Sequence, residues 1–190
     1  GVGYSVEKRF IENLPNLKRR IDISSVNLAK VHVIEDSIEG WAEAIDDLIS
    51  SFFEGSAKVI FDFSKIRPKN ALIAGEFLAP GSDGLKKSLE AIEKLLTDKI
   101  DRNDFVLTSL NCHDMICLLS DAVLSGGIRR SALISLFDKD DELMLKCKTG
   151  NWFIDAPWRA RSNNSAKLLK DSLTKQELDS YKEYIKQFGE

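Results

Sequence analysis

The chain has 190 residues, 43% of them hydrophobic and 30% charged, with a formal net charge of −3 at pH 7. That length can bury a core without disulfides or a structural metal, and the slightly acidic balance lacks the basic excess of a nucleic-acid-binding surface. No apolar run reaches the length needed to cross a bilayer, and Cys112, Cys117 and Cys147, odd in number and without a C-x-x-C pair or secretory signal, read as reduced thiols of a cytoplasmic protein.

Residues 1–190 read as a single segment in which strands and helices alternate, an α/β pattern. Gly1–Val6 alternates small and apolar residues as a buried strand does, and a turn follows at Asn13-Leu14-Pro15. Asn27–Ile34 is a β-rich run, and Glu35-Asp36-Ser37 offers capping side chains to a helix over Ile38–Phe53. The spacing of Ile38, Trp41, Ile45, Leu48, Ile49 and Phe52 predicts its buried face. Ala57–Phe63 is almost continuously apolar, the mark of a strand buried on both faces of a parallel sheet. Ser64–Gly84, with Arg67-Pro68-Lys69 and three glycines, has no periodicity and reads as a functional loop. Helical spacing resumes over Leu85–Leu96 and again over Cys112–Leu124. On the latter, His113 and Cys117 lie one turn apart, but a structural metal needs four ligands, so packed thiols are the expectation and no metal is assigned.

Ala122–Leu136 (AVLSGGIRRSALISL) ends a helix, breaks at Gly126-Gly127, presents Arg129 and Arg130, and enters an alternating strand. Glycines admit close approach of the main chain to phosphate, and guanidinium groups supply a planar charged fork, so an anionic ligand such as a nucleotide fits. An ordinary helix-to-strand turn with a glycine cap accounts for the same residues. Downstream, Glu142–Lys148 reads as a short helix. Asn151–Asn164 concentrates Trp152, Trp158 and arginines that either stack on a base or anchor the core, and Thr174-Lys175-Gln176-Glu177 is a capping box opening the last helix.

Four stretches in order, GVGYSVEKRFIENLP, FDFSKIRPKNALI, CHDMICLLSDAVLSGGIRRSALISLFDKDDELMLKCKTGNW and RARSNNSA, resemble the central part of ribonucleotide reductase large chains, most closely the adenosylcobalamin-dependent (class II) branch. The resemblance implies part of a ten-stranded α/β barrel, in which a thiyl radical generated with adenosylcobalamin abstracts a hydrogen from a ribose and two further cysteines reduce the 2′-carbon. It places Arg67, Pro68 and Lys69 in one loop that reads a deoxynucleotide (dNTP) effector. Ser125, Gly126, Gly127, Arg129, Arg130 and Ser131 fall in a second, with the two arginines contacting effector or substrate. Asn163, Asn164 and Ser165 would lie on a barrel strand near the substrate.

The segment Gly75–Asp83 departs from the family by losing a paired glycine and gaining Phe77, which alters the first loop. None of the three cysteines matches a catalytic one, so no catalytic residue is assigned and the chain alone is expected to be inactive. Its expected partners are nucleotides and either complementary reductase chains or the rest of a longer polypeptide. The rival expectation is a non-catalytic, deoxynucleotide-binding regulatory module.

Overall fold

A computed structural model describes residues 1–21, 30–73, 77–124 and 132–188. In chain order the elements are β1 (Val2–Ser5), α1 (Lys8–Ile11), β2 (Lys30–Val33), α2 (Ile38–Glu54), β3 (Val59–Asp62), β4 (Leu72–Ile73) and β5 (Phe77–Leu78). They continue with α3 (Asp83–Asp101), α4 (Ser109–Leu124), β6 (Leu133–Asp138), α5 (Glu142–Lys146), α6 (Trp152–Asp155), a 3-10 turn at Pro157–Arg161, β7 (Ser162–Lys167) and α7 (Lys175–Phe188). Strands pair in parallel wherever a helix intervenes, so the chain is α/β. Among the described residues, no helix is long and apolar enough to cross a membrane.

The chain forms two compact units, one of Gly1–Leu14, Thr108–Cys117 and Ser131–Glu190, the other of Pro15–Leu107 and Leu118–Arg130. The first is built on a parallel sheet in the order β1-β6-β7. Alternation along β6 sends Leu133, Ser135 and Phe137 to a covered face, while Ile134 and Leu136 stay 48% and 39% exposed on the other. Val6, Met144, Cys147 and Ala156 complete the core on the covered side. The capping box at Thr174 forms as expected: Glu177 N donates to Thr174 Oγ1, and Thr174 N to Glu177 Oε2.

In the second unit β2 and β3 pair in parallel, with Val31 opposite Ile60 and Val33 opposite Asp62. One face of this pair is covered and the other is not. Val59 is buried, but Ile60 is 44% exposed and Val31 60%, so within this chain β3 is buried on one side rather than on both. The buried stripe of α2 also differs from the expectation. It runs through Gly40, Ala44, Leu48, Ser51 and Phe52, while Ile38 is 86% exposed and Trp41, Ile45 and Ile49 flank the stripe half-buried. A Cβ on Gly40 would stand 2.5 Å from the carbonyl oxygen of Glu35, so the residues leading into α2 fold back tightly on its first turn, while Leu48 and Phe52, each 1% exposed, supply the large buried side chains farther along. Ser37 caps α2 by accepting from Gly40 N, and Gly55 ends it in the left-handed region. The long loop contains structure that periodicity did not reveal, the antiparallel hairpin β4–β5 with Ile73 opposite Phe77.

Candidate functional site

On the uncovered face of the β1-β6-β7 sheet, the register aligns Gly3, Ile134 and Asn163 in one row and Ser5, Leu136 and Ser165 in the next. Asn163 and Ser165 therefore share an open face, whereas Asn164, one residue out of phase, turns to the covered face and donates from Nδ2 to Cys147 Sγ at 3.0 Å. The three do not act as one patch. At the carboxyl end of these strands, where ligands of parallel sheets collect, the carboxylate of Glu7 accepts from Ser5 Oγ (2.7 Å), Lys167 Nζ (2.8 Å) and Arg9 (3.1 Å). Those donors, Lys167 foremost, draw the Glu7 carboxyl down to about 2, so this buried anion is fixed and compensated.

Under the sheet, Tyr4 Oη lies 2.7 Å from His113 Nδ1 and 3.5 Å from Ser162 Oγ, with Cys117 Sγ at 4.0 Å. His113 has no exposed surface, and burial lowers its pKa to about 4, so the ring is neutral. Burial likewise pushes the Cys117 thiol up to about 12, far from the thiolate range of a nucleophile. All three cysteines are buried, Cys147 and Cys117 on the covered side of the sheet. Among the described residues, no group of three metal-ligating side chains forms around His113 and Cys117.

In the other unit, Arg67 follows the carboxyl end of β3 and its Nε donates to Asp36, which follows β2. Lys65 pairs with Glu35 in the same manner, so two ion pairs tie together the loops leaving the two parallel strands. Lys69 is exposed, and its backbone packs against Gly81, whose positive φ of 73° closes the base of the β4–β5 hairpin. Ser125, Gly126, Gly127, Arg129, Arg130 and Ser131 lie outside the described residues, as do Gly75 and Glu76.

Sequence reasoning missed the polar pairs that organise the first unit. Asp114 receives Nε and NH2 of Arg159, each at 2.6 Å, and Nε1 of Trp158 at 2.8 Å. Trp158 is thus an anchored, half-buried side chain, and Arg159 is committed to a bidentate pair. No local spacing announces a pair so far apart in sequence, one partner on α4 and the other in the 3-10 turn before β7.

No protein-family model matches the chain. It is 29% identical over 78% of its length to an adenosylcobalamin-dependent ribonucleoside-triphosphate reductase of Levilactobacillus brevis. A protein of the same name from Lacticaseibacillus paracasei is 31% identical over the same share. The relatives of this chain are adenosylcobalamin-dependent ribonucleotide reductases. The chain spans about a quarter of the length of these curated reductases, 24% in each case. A solved B-12 dependent (class II) ribonucleotide reductase superposes on 88% of the chain with a TM-score of 0.71 at 24% identity, and the chain covers 27% of it. That superposition shows that the α/β fold described above is the fold of a portion of a class II reductase.

Proposed function

We propose that this chain is a working segment of a ribonucleotide reductase, converting ribonucleotides to deoxyribonucleotides only within the larger enzyme, to which it supplies strands of a ten-stranded α/β barrel and two nucleotide loops. The observation that carries this reading is the open face of the β1-β6-β7 sheet. Parallel strands are normally covered on both sides, yet Ile134 and Leu136 stand 48% and 39% exposed beside Asn163 and Ser165. A barrel closed by the remainder of such an enzyme encloses that face and turns it into a lined interior. Asn163 and Ser165 then offer an amide and a hydroxyl to the hydroxyls of a ribose. The reducing thiols come from elsewhere in the enzyme, because Cys112, Cys117 and Cys147 are all buried away from the open face.

The effector reading places a dNTP against two loops. In the first, the Asp36 pair holds the Arg67 guanidinium beside exposed Lys69. In the second, Ser125, Gly126, Gly127, Arg129, Arg130 and Ser131 supply main-chain amides and charge to phosphate. Adenosylcobalamin, the source of the radical in this reading, belongs to the remainder of the enzyme. The cavity of about 310 Å³ lined by Phe137, Met144 and Ala166 is too small for a corrin.

Native mass spectrometry of the chain from its natural source tests the assembly. Co-purification with cysteine-bearing reductase polypeptides, or recovery as part of one, supports the proposal; a lone chain that binds dNTPs supports a regulatory module instead. Arg129→Ala is expected to weaken dNTP binding by about 1–3 kcal/mol, the worth of a charge-assisted bond, and unchanged affinity in calorimetry removes Arg129 from the site.

A further inference from the structure

Gly3 sits in the middle of β1, where nothing in this chain calls for a glycine. Glycine weakens a strand interior, because it loses the most backbone freedom on folding and brings no side chain to pack. Its usual justifications are absent here. The backbone at Gly3 lies outside the left-handed region, and the β1–β6 register runs from Val2 to Ser5 without a bulge. Among the described residues, a Cβ built on Gly3 meets no atom within 4 Å apart from its neighbours in sequence. Gly1 is the contrast: a Cβ there would stand 2.9 Å from the carbonyl oxygen of Ala132, so the chain itself demands the small residue. What remains for Gly3 is the close approach of something outside the chain.

The register shows where that approach is made. Gly3 stands in the row of Ile134 and Asn163, and the next row on the same uncovered face is Ser5, Leu136 and Ser165. Strand geometry makes the two rows a floor about 7 Å along the strands and about 10 Å across them. Its middle is the exposed apolar pair Ile134 and Leu136, three of its corners are polar, and the fourth, at Gly3, is bare main chain. Ser5 Oγ gives its proton to Glu7 Oε2 at 2.7 Å and so offers only an acceptor, whereas the Asn163 amide both donates and accepts. An apolar floor with a few polar groups at its edge suits a sugar ring, whose C–H face rests on the apolar side chains while its hydroxyls reach the rim.

Resting on the reading of the chain as a segment of a ribonucleotide reductase, we infer that Gly3 is a substrate-contact position that sets the clearance of the site. The ribose of the ribonucleotide lies against the bare main chain of Gly3, its hydroxyls turned toward Ser5, Asn163 and Ser165. Any side chain at position 3 fills that clearance.

The test uses the reductase assembled with this segment in place, and CTP as the probe, a ribonucleoside triphosphate of the kind named for the relatives. Gly3→Ala is expected to weaken CTP binding in calorimetry about tenfold, as overpacking does, and Gly3→Val to weaken it further, with KM rising in the same order. The midpoint of thermal unfolding is expected to stay at or above that of the wild type, since the chain leaves room for the added methyl group. Unchanged CTP affinity in both variants overturns the inference. So does a loss of thermal stability or assembly with CTP affinity intact, which assigns the clearance to a protein segment instead. A wild-type assembly that reduces no ribonucleotide refutes the reductase reading itself, and the inference with it. Should Gly3→Val fail to assemble, Gly3→Ala decides the question alone.

Discussion

Asp114 and Arg159 show how one buried charge pair can set the path of a connection. The side chains are 8% and 16% exposed, joined by two bonds, and Arg159 NH1 reaches on to the carbonyl of Cys147 at 2.8 Å. Removing one partner strands a desolvated charge, which costs more than the pair contributes against an apolar replacement. Asp114→Asn is expected to lower stability by about 3 kcal/mol, read as a fall in the urea midpoint, and Arg159→Lys to recover little, since lysine lacks the fork that spans both carboxylate oxygens.

His113 gives a pH dependence of defined sign. Its pKa is about 4 in the fold against 6.5 for the free side chain, so between those values the unfolded chain binds a proton that the native chain does not. Stability is therefore complete above about pH 6.5 and falls by about tenfold in the folding constant per pH unit down to about pH 4, where the native ring also titrates. His113→Gln should flatten that segment of a stability-versus-pH curve. A slope unchanged by the substitution assigns the proton uptake to other groups.

At the level of elements, α2 shows where sequence patterning succeeds and where it stops. Its start at Ile38 and the capping role of Ser37 were legible, because capping depends on a side chain and an amide only three residues apart. The buried face was legible in part: Leu48 and Phe52 are buried as their spacing suggested, each 1% exposed. At the helix start, large apolar residues suggested Ile38 and Trp41, but Gly40 and Ala44 are the buried positions there, with Gly40 against the Glu35 carbonyl. Gly40→Ala tests this directly. Helix propensity alone favours alanine by about 1 kcal/mol, whereas a Cβ placed 2.5 Å from a backbone oxygen forces the helix start to move. A net loss of about 1–2 kcal/mol in thermal or urea unfolding is expected, and a stabilised variant excludes the close approach. The β4–β5 hairpin escaped notice for a different reason: two-residue strands are too short to display a period.

For the molecule as a whole, the strands and long helices were readable because each follows from a local rhythm of apolar residues. Their partners were not, because register is a non-local property. Glu7 meets Lys167 only once the β1-β6-β7 order is in place, and Tyr4–His113 and Asp114–Arg159 form only once α4 packs in the first unit. The candidate substrate residues illustrate both halves of this. The string SNNSA marked β7, but only its pleat separates Asn163 and Ser165 on the open side from Asn164 on the covered one. Likewise, Arg67 stood out beside Pro68, while its link to Asp36 required β2 and β3 to run side by side.

The pairing of Val2 with Leu133 also governs the order of events at the ribosome. Within this stretch β1 cannot pair with β6 until the helices and strands between them have been synthesised, on the order of ten seconds later at elongation rates of about 5–20 residues per second. During that interval Pro15–Leu107 is complete and can begin to condense, while the edge of β1 that pairs with β6 stays unmatched. Val2–Ser5 therefore depends on Leu133–Asp138 for that edge, and the sheet closes only late in the synthesis of this stretch.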